Sequence, residues 1–145
     1  MLVASCWADA ALRCEGIRFI HLGRNRTRGL DCIGLLVVSG QDIGLLSDDY
    51  DTGTYPGMAD PARLLGGMKA GGLARIDICE PEPGLVMLFR YGNNPQHLAI
   101  ATYDSCFVHA YQAAGKVCVS RLDRRWARRL GGYYRALDLW YCFDG

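Results

Sequence analysis

Apolar positions recur at helical spacing near the start of the chain. Ala4, Trp7, Ala8, Ala11 and Leu12 share one face, which predicts an amphipathic helix over residues 3–15. Residues 22–30 break the pattern with polar side chains and glycines, and read as a loop. Asp31 then precedes the apolar run from Cys32 to Val38. An Asp before such a run is an N-cap followed by a helix start. Residues 47–61 are rich in Asp, Gly, Thr, Tyr and Pro and read as a long irregular excursion. Residues 61–72 predict a short helix around Ala62, Leu64, Leu65 and Met68, ended by Gly71-Gly72.

From Pro81 the period shortens. Residues 85–90, 97–103, 106–111 and 116–122 are strand-like runs, and a further strand is predicted over 133–139. Asn93-Asn94-Pro95, Asp104-Ser105 and Ala113-Ala114-Gly115 separate the runs as turns. The two-residue break at Asp104-Ser105 marks a hairpin, although that pair is not a preferred turn dipeptide. Helices first and strands second describe an α+β fold with an antiparallel sheet. No repeat or boundary divides the 145 residues, so one domain over 1–145 is expected.

Composition changes little in this picture. The chain is 50% hydrophobic and 21% charged, with a formal net charge of +1. That charge selects no partner, and no nucleic acid is expected. No apolar run approaches the ~18 residues of a membrane span, so no membrane is expected either. Val3-Ala4-Ser5-Cys6 looks like a lipoprotein cleavage box. It lacks a preceding basic and apolar stretch, so a chain made in the cytoplasm is expected.

Seven cysteines occur, none spaced as C-x-x-C. Those near Ile78, Phe107 and Val117 lie in strand-like runs, where a free Cys behaves as a small core hydrophobe. Cys32 differs, because it begins a helix after a polar loop. The helix macrodipole there favours a thiolate and predicts a lowered thiol pKa. The chain has three histidines: His21, His97 and His109. His97 and His109 lie on the two strands of the expected hairpin and share a face only if its register permits. An imidazole close to Cys32 would generate the nucleophile, and a third polar group would orient that imidazole. The Cys32 backbone N–H would face the developing oxyanion, a contribution of ~3 kcal/mol. Read from residue types alone, the same three side chains also suit buried packing roles or a zinc ion.

Several segments resemble NlpC-type cell-wall cysteine peptidases. Gly29-Leu30-Asp31-Cys32-Ile33-Gly34-Leu35-Leu36 is similar to that family's Asp-Cys-Ser-Gly-Leu-Val motif. The run from Pro83 to Phe89 resembles Pro-Gly-Asp-Leu-Val-x-Phe. His97-Leu98-Ala99-Ile100 and Val108-His109-Ala110 resemble its two histidine strands, with the same twelve-residue gap. The phage and prophage tail-associated branch is more similar still. It shares the pattern of Phe19 to Arg24, an insertion like Tyr50 to Leu64 with Tyr55-Pro56 and Asp60-Pro61, Gln96 to Ile100, and His109-Ala110-Tyr111.

The resemblance implies a papain-like fold, with N-terminal helices carrying the nucleophile at a helix start against a mainly antiparallel sheet. It implies a Cys32–His97–His109 triad acting on peptidoglycan stem peptides, with phage tail proteins as further partners and no cofactor or metal. It places the chain in a virion tail or phage-like particle acting at the cell wall. Asp31 and His21 would bind substrate, and Phe19 or His21 stands nearest the place of a family Tyr. Ile33 departs from the pattern where the family has Ser, and no Tyr precedes Cys32. Recognition of a free stem-peptide amine is therefore open. Leu85 replaces a family Asp, which implies a local packing change. A catalytically silent tail component and a thiol acyltransferase or amidase of the same superfamily are the alternatives.

Arg121, Arg124, Arg125, Arg128 and Arg129 form a basic stripe if helical, more simply a solvated face than an anion site. The glycine pairs at 66–67 and 71–72 lack a phosphate-binding context. Asp48, Asp49 and Asp51 lack calcium-loop spacing.

Overall fold

The computed structural model describes residues 3–50, 53, 61–78 and 80–136. Cys79, Cys142, Tyr55-Pro56, Asp60 and the end of the last predicted strand lie outside them. Helix α1 spans Val3–Leu12 and α2 spans Cys32–Asp42, capped by Asp31; α3 spans Pro61–Ala70. The loop read over 22–30 holds a small ladder, β1 (Arg24–Asn25) with β2 (Gly29–Leu30). The remaining strands are β3 (Leu73–Ile76), β4 (Val86–Tyr91), β5 (Asn94–Ala101), β6 (Cys106–Tyr111), β7 (Lys116–Arg121) and β8 (Leu130–Ala136). A six-residue helix, α4 (Arg124–Arg129), lies between the last two.

Strands β3 to β8 form one antiparallel sheet in the order β3-β8-β4-β5-β6-β7. Both faces are covered, so the strands read as continuous apolar runs rather than alternating ones. Even-numbered positions such as Val86, Leu88, Leu98, Ile100 and Val108 pack with Trp7, Ala11, Leu35, Leu36 and Met68 of the three long helices. Odd-numbered positions such as Met87, Phe89, Ala99 and Phe107 pack around Trp126 of α4. Among the described residues, no helix is long and apolar enough to cross a membrane.

One turn and one strand start differ from the sequence reading. Asn94 and Pro95 fall inside β5, paired with Tyr91 and Arg90, so Gly92-Asn93 makes the turn. Proline is tolerated there because the ladder shifts register between Phe89 and Arg90, at a bulge. The last strand begins at Leu130, three residues before the predicted start.

Candidate active site

The start of α2 is fixed by the residue before it. Asp31 is only 3% exposed. Its carboxylate accepts from the Gly34 N–H at 2.8 Å, from the Leu22 N–H at 2.9 Å and from the Arg24 guanidinium at 2.9 Å. One side chain thus caps the helix and anchors the preceding loop to it. Gly34 completes the junction, since a Cβ there would collide with the Gly23 carbonyl oxygen. Cys32 is the first helical residue, and its N–H is one the helix itself does not use.

The histidines are brought together by the length of one turn. With only Asp104 and Ser105 in the loop, Tyr103 would face Cys106, and His97 and His109 would lie on opposite faces of the sheet. Instead the Thr102 N–H donates to the Cys106 carbonyl at 2.9 Å, and Tyr103 joins the loop. Ile100 then faces Val108 and Ala101 faces Phe107. That one-residue shift puts both rings on the odd-numbered face. His97 Nε2 lies 2.7 Å from His109 Nδ1, and His109 Nε2 lies 2.9 Å from Ser120 Oγ.

Helix α2 packs on the opposite face, so Cys32 needs a route through the sheet. The β5–β6 ladder registers only the two pairs beside the turn. The Thr102 N–H points at β6, and strand alternation aims the Leu98 N–H the same way. That amide faces the Cys32 sulfur and favours its charged form. The thiol therefore sits where β5 and β6 part, beside the residue that follows His97. Among the described residues, no hydrogen bond joins this sulfur to the His97 ring. Because His97 Nε2 is engaged by His109, Nδ1 is the nitrogen left for the thiol.

The resting site is uncharged. Burial pushes the Cys32 thiol up to about 11; the Leu98 and Ile33 amides and Arg24 oppose the rise, and Asp31 adds to it. The lowering expected from the helix start is thus outweighed by desolvation, although the residue as a whole is only half-buried. Burial pushes His97 down to about 3, with the charge of His109 acting the same way, and His109 down to about 4.

An aromatic shell of Tyr91, Tyr111 and Trp126 holds the rings. Tyr111 stacks on His109 with centroids 4.9 Å apart, and Trp126 meets His109 edge-on at 5.2 Å. Tyr91 lies 6.3 Å from His97, and burial pushes its phenol up, with smaller contributions from Tyr111 and Cys32. Arg129 lies over both Tyr91 and Trp126, at 5.5 and 5.2 Å. It is half-buried, whereas Arg124, Arg125 and Arg128 are exposed. The basic stripe therefore divides between this shell and solvent. The signal for Tyr91, Tyr111 and Ser120 was strand parity with the histidines, legible once the register is known.

Ile33 packs against the helical-face core, as does Phe19. His21 is exposed, in the turn that Asp31 anchors through Leu22. Among the described residues, no group of three or more His, Cys, Asp or Glu is placed to hold a metal ion.

No family model and no curated protein matches this chain. Solved structures do. An NLP/P60 family protein from Bacillus cereus ATCC 10987 superposes with a TM-score of 0.68 at 20% identity, over 92% of this chain and 40% of that one. The fold is that of the NlpC/P60 proteins. A protein similar to a lipoprotein of this family from Staphylococcus aureus Mu50 gives 0.65 at 21% identity, over 93% and 41%. The NlpC/p60 domain of the peptidoglycan hydrolase SagA gives 0.62 at 17%, over 91% and 97%. The chain thus spans about two-fifths of the length of the first two and nearly all of the third. The papain-like α+β architecture expected from the sequence is the one observed.

Proposed function

We propose that this chain is a cysteine peptidase that hydrolyses an amide bond in peptidoglycan stem peptides. The observation that carries the reading is the buried 2.7 Å His97–His109 contact beside the strand gap that holds the Cys32 sulfur. In this reading Cys32 Sγ attacks the scissile carbonyl carbon while its proton passes to His97 Nδ1. The Cys32 N–H at the helix start receives the oxyanion. His97 then protonates the leaving amine, giving a thioester. Water, activated by His97, releases the acid and restores the thiol. His109 holds the His97 ring. An uncharged resting pair suits this order, since proton transfer accompanies attack and catalytic hydrogen bonds tighten when substrate enters.

The substrate class rests on the motif resemblance and on the shared fold with proteins that include a peptidoglycan hydrolase. The likeness of Phe19 to Arg24 and of His109-Ala110-Tyr111 to the tail-associated branch supports a place in a phage or prophage tail, acting at the bacterial wall as one peptidase domain. Asp31 serves substrate binding by holding the loop that carries His21. Digesting purified muropeptides and reading the products by mass spectrometry tests the assignment. Fragments carrying one added water and a new amine are expected. Muropeptides left intact would overturn it.

One observation favours a second reading, a silent scaffold: among the described residues the Cys32 thiol, pushed up to about 11 by burial, makes no hydrogen bond to His97. A thiol-directed substrate mimic separates the two. An enzyme is labelled at Cys32 in preference to the half-buried Cys6, Cys106 and Cys118, whereas a scaffold is not.

A further inference from the structure

We infer that Ser120 is a positioning residue that fixes which nitrogen of His97 carries the proton. The inference rests on the peptidase reading, which sets the direction of the proton chain. For His97 Nδ1 to act as a base it must be bare, so the neutral ring carries its proton on Nε2. That N–H then donates to His109 Nδ1, 2.7 Å away. His109, accepting at Nδ1, carries its own proton on Nε2 and donates it to Ser120 Oγ at 2.9 Å. The Ser120 hydroxyl must therefore accept, and its own proton needs another destination. Solvent supplies one, since Ser120 is only half-buried.

The three side chains form one directed chain, with His97 donating to His109 and His109 to Ser120. Reversing it would put the proton on His97 Nδ1 and remove the base. His109 is fully buried, so no solvent competes for its Nε2 proton. Cys118 also lies 3.6 Å from that nitrogen, but sulfur is a weak acceptor and substitutes poorly for the hydroxyl. Without Ser120, neither proton arrangement of the two rings is strongly preferred.

The test combines nitrogen-15 spectra of the histidine rings in the whole protein with kinetics on purified muropeptides. In the wild type, His97 should show its proton on Nε2. Ser120→Ala should show His97 as a mixture of both tautomers and a kcat about tenfold lower, the equivalent of one neutral hydrogen bond, with KM unchanged. Ser120→Thr, which keeps the hydroxyl, should restore both. Cys118→Ala should shift the tautomer balance less than Ser120→Ala does. Ring spectra of Ser120→Ala identical to wild type would overturn the inference, as would a wild-type His97 protonated at Nδ1. A wild type inactive on muropeptides would instead overturn the peptidase reading, and the spectra would still decide the role of Ser120.

Discussion

At the scale of single residues, Asp31 shows how one side chain serves two neighbours. Its carboxylate closes the first turn of α2 and ties down the loop through Leu22 and Arg24. The cap was legible, because an Asp before an apolar run has few other uses. The loop anchor was not, because nothing in the spacing of Leu22 and Arg24 announces a shared acceptor. Replacing Asp31 by Ala should lower stability by about 1–3 kcal/mol, since it removes a cap and leaves buried donors unpaired. Urea unfolding checks this, and an unchanged midpoint would contradict it. Cys32 was likewise legible as a helix-start cysteine. The sign of its pKa shift was not, because desolvation depends on the strand gap that receives the sulfur.

At the scale of elements, the β5–β6 hairpin decides whether there is a site at all. Both strands were legible from their apolar runs, and the two histidines from their rarity. Their common face was not, because one residue in the turn inverts the parity. Asp104 and Ser105 adopt positive φ values of 57° and 59°. Those values belong to the left-handed region, which costs an L-residue roughly 1–2 kcal/mol. Ser105→Gly should therefore stabilise the protein by up to about 1 kcal/mol and raise Tm by a few degrees. Scanning calorimetry would register this, and a lower Tm would show that the Ser105 side chain supports the turn. Helix α4 teaches a similar lesson. Its arginines stood out in the sequence, yet buried Trp126 is the residue that packs on both histidines. Arg129 was placed against the same shell only by the short helix and its turn into β8.

At the scale of the whole molecule, a sheet covered on both sides buries its titratable groups, and this sets how stability responds to pH. His97 and His109 have folded pKa values near 3 and 4, below the usual 6.5. The unfolded chain therefore binds more protons than the folded one below pH 6.5. Their contribution is whole above that pH and is lost as pH falls through 4 and 3. Cys32 acts at the other end, because its raised pKa gives stability present below 9 and lost as pH rises through 11. Urea midpoints measured across pH should fall on the acid side from about 6.5, and more shallowly in His109→Asn than in wild type. Parallel acid limbs in the two proteins would contradict the burial of that ring. The overall α+β arrangement was legible from the order of periods along the chain. The route of Cys32 through the sheet was not, because it depends on where the β5–β6 ladder stops.

The central claim is that Cys32 cuts a stem-peptide amide with His97 as its base. The most direct measurement is release of new amines from purified peptidoglycan by wild type, Cys32→Ala and His97→Ala at equal concentrations. The account predicts steady release by wild type and none above background by either variant. Release by Cys32→Ala at the wild-type rate would contradict it.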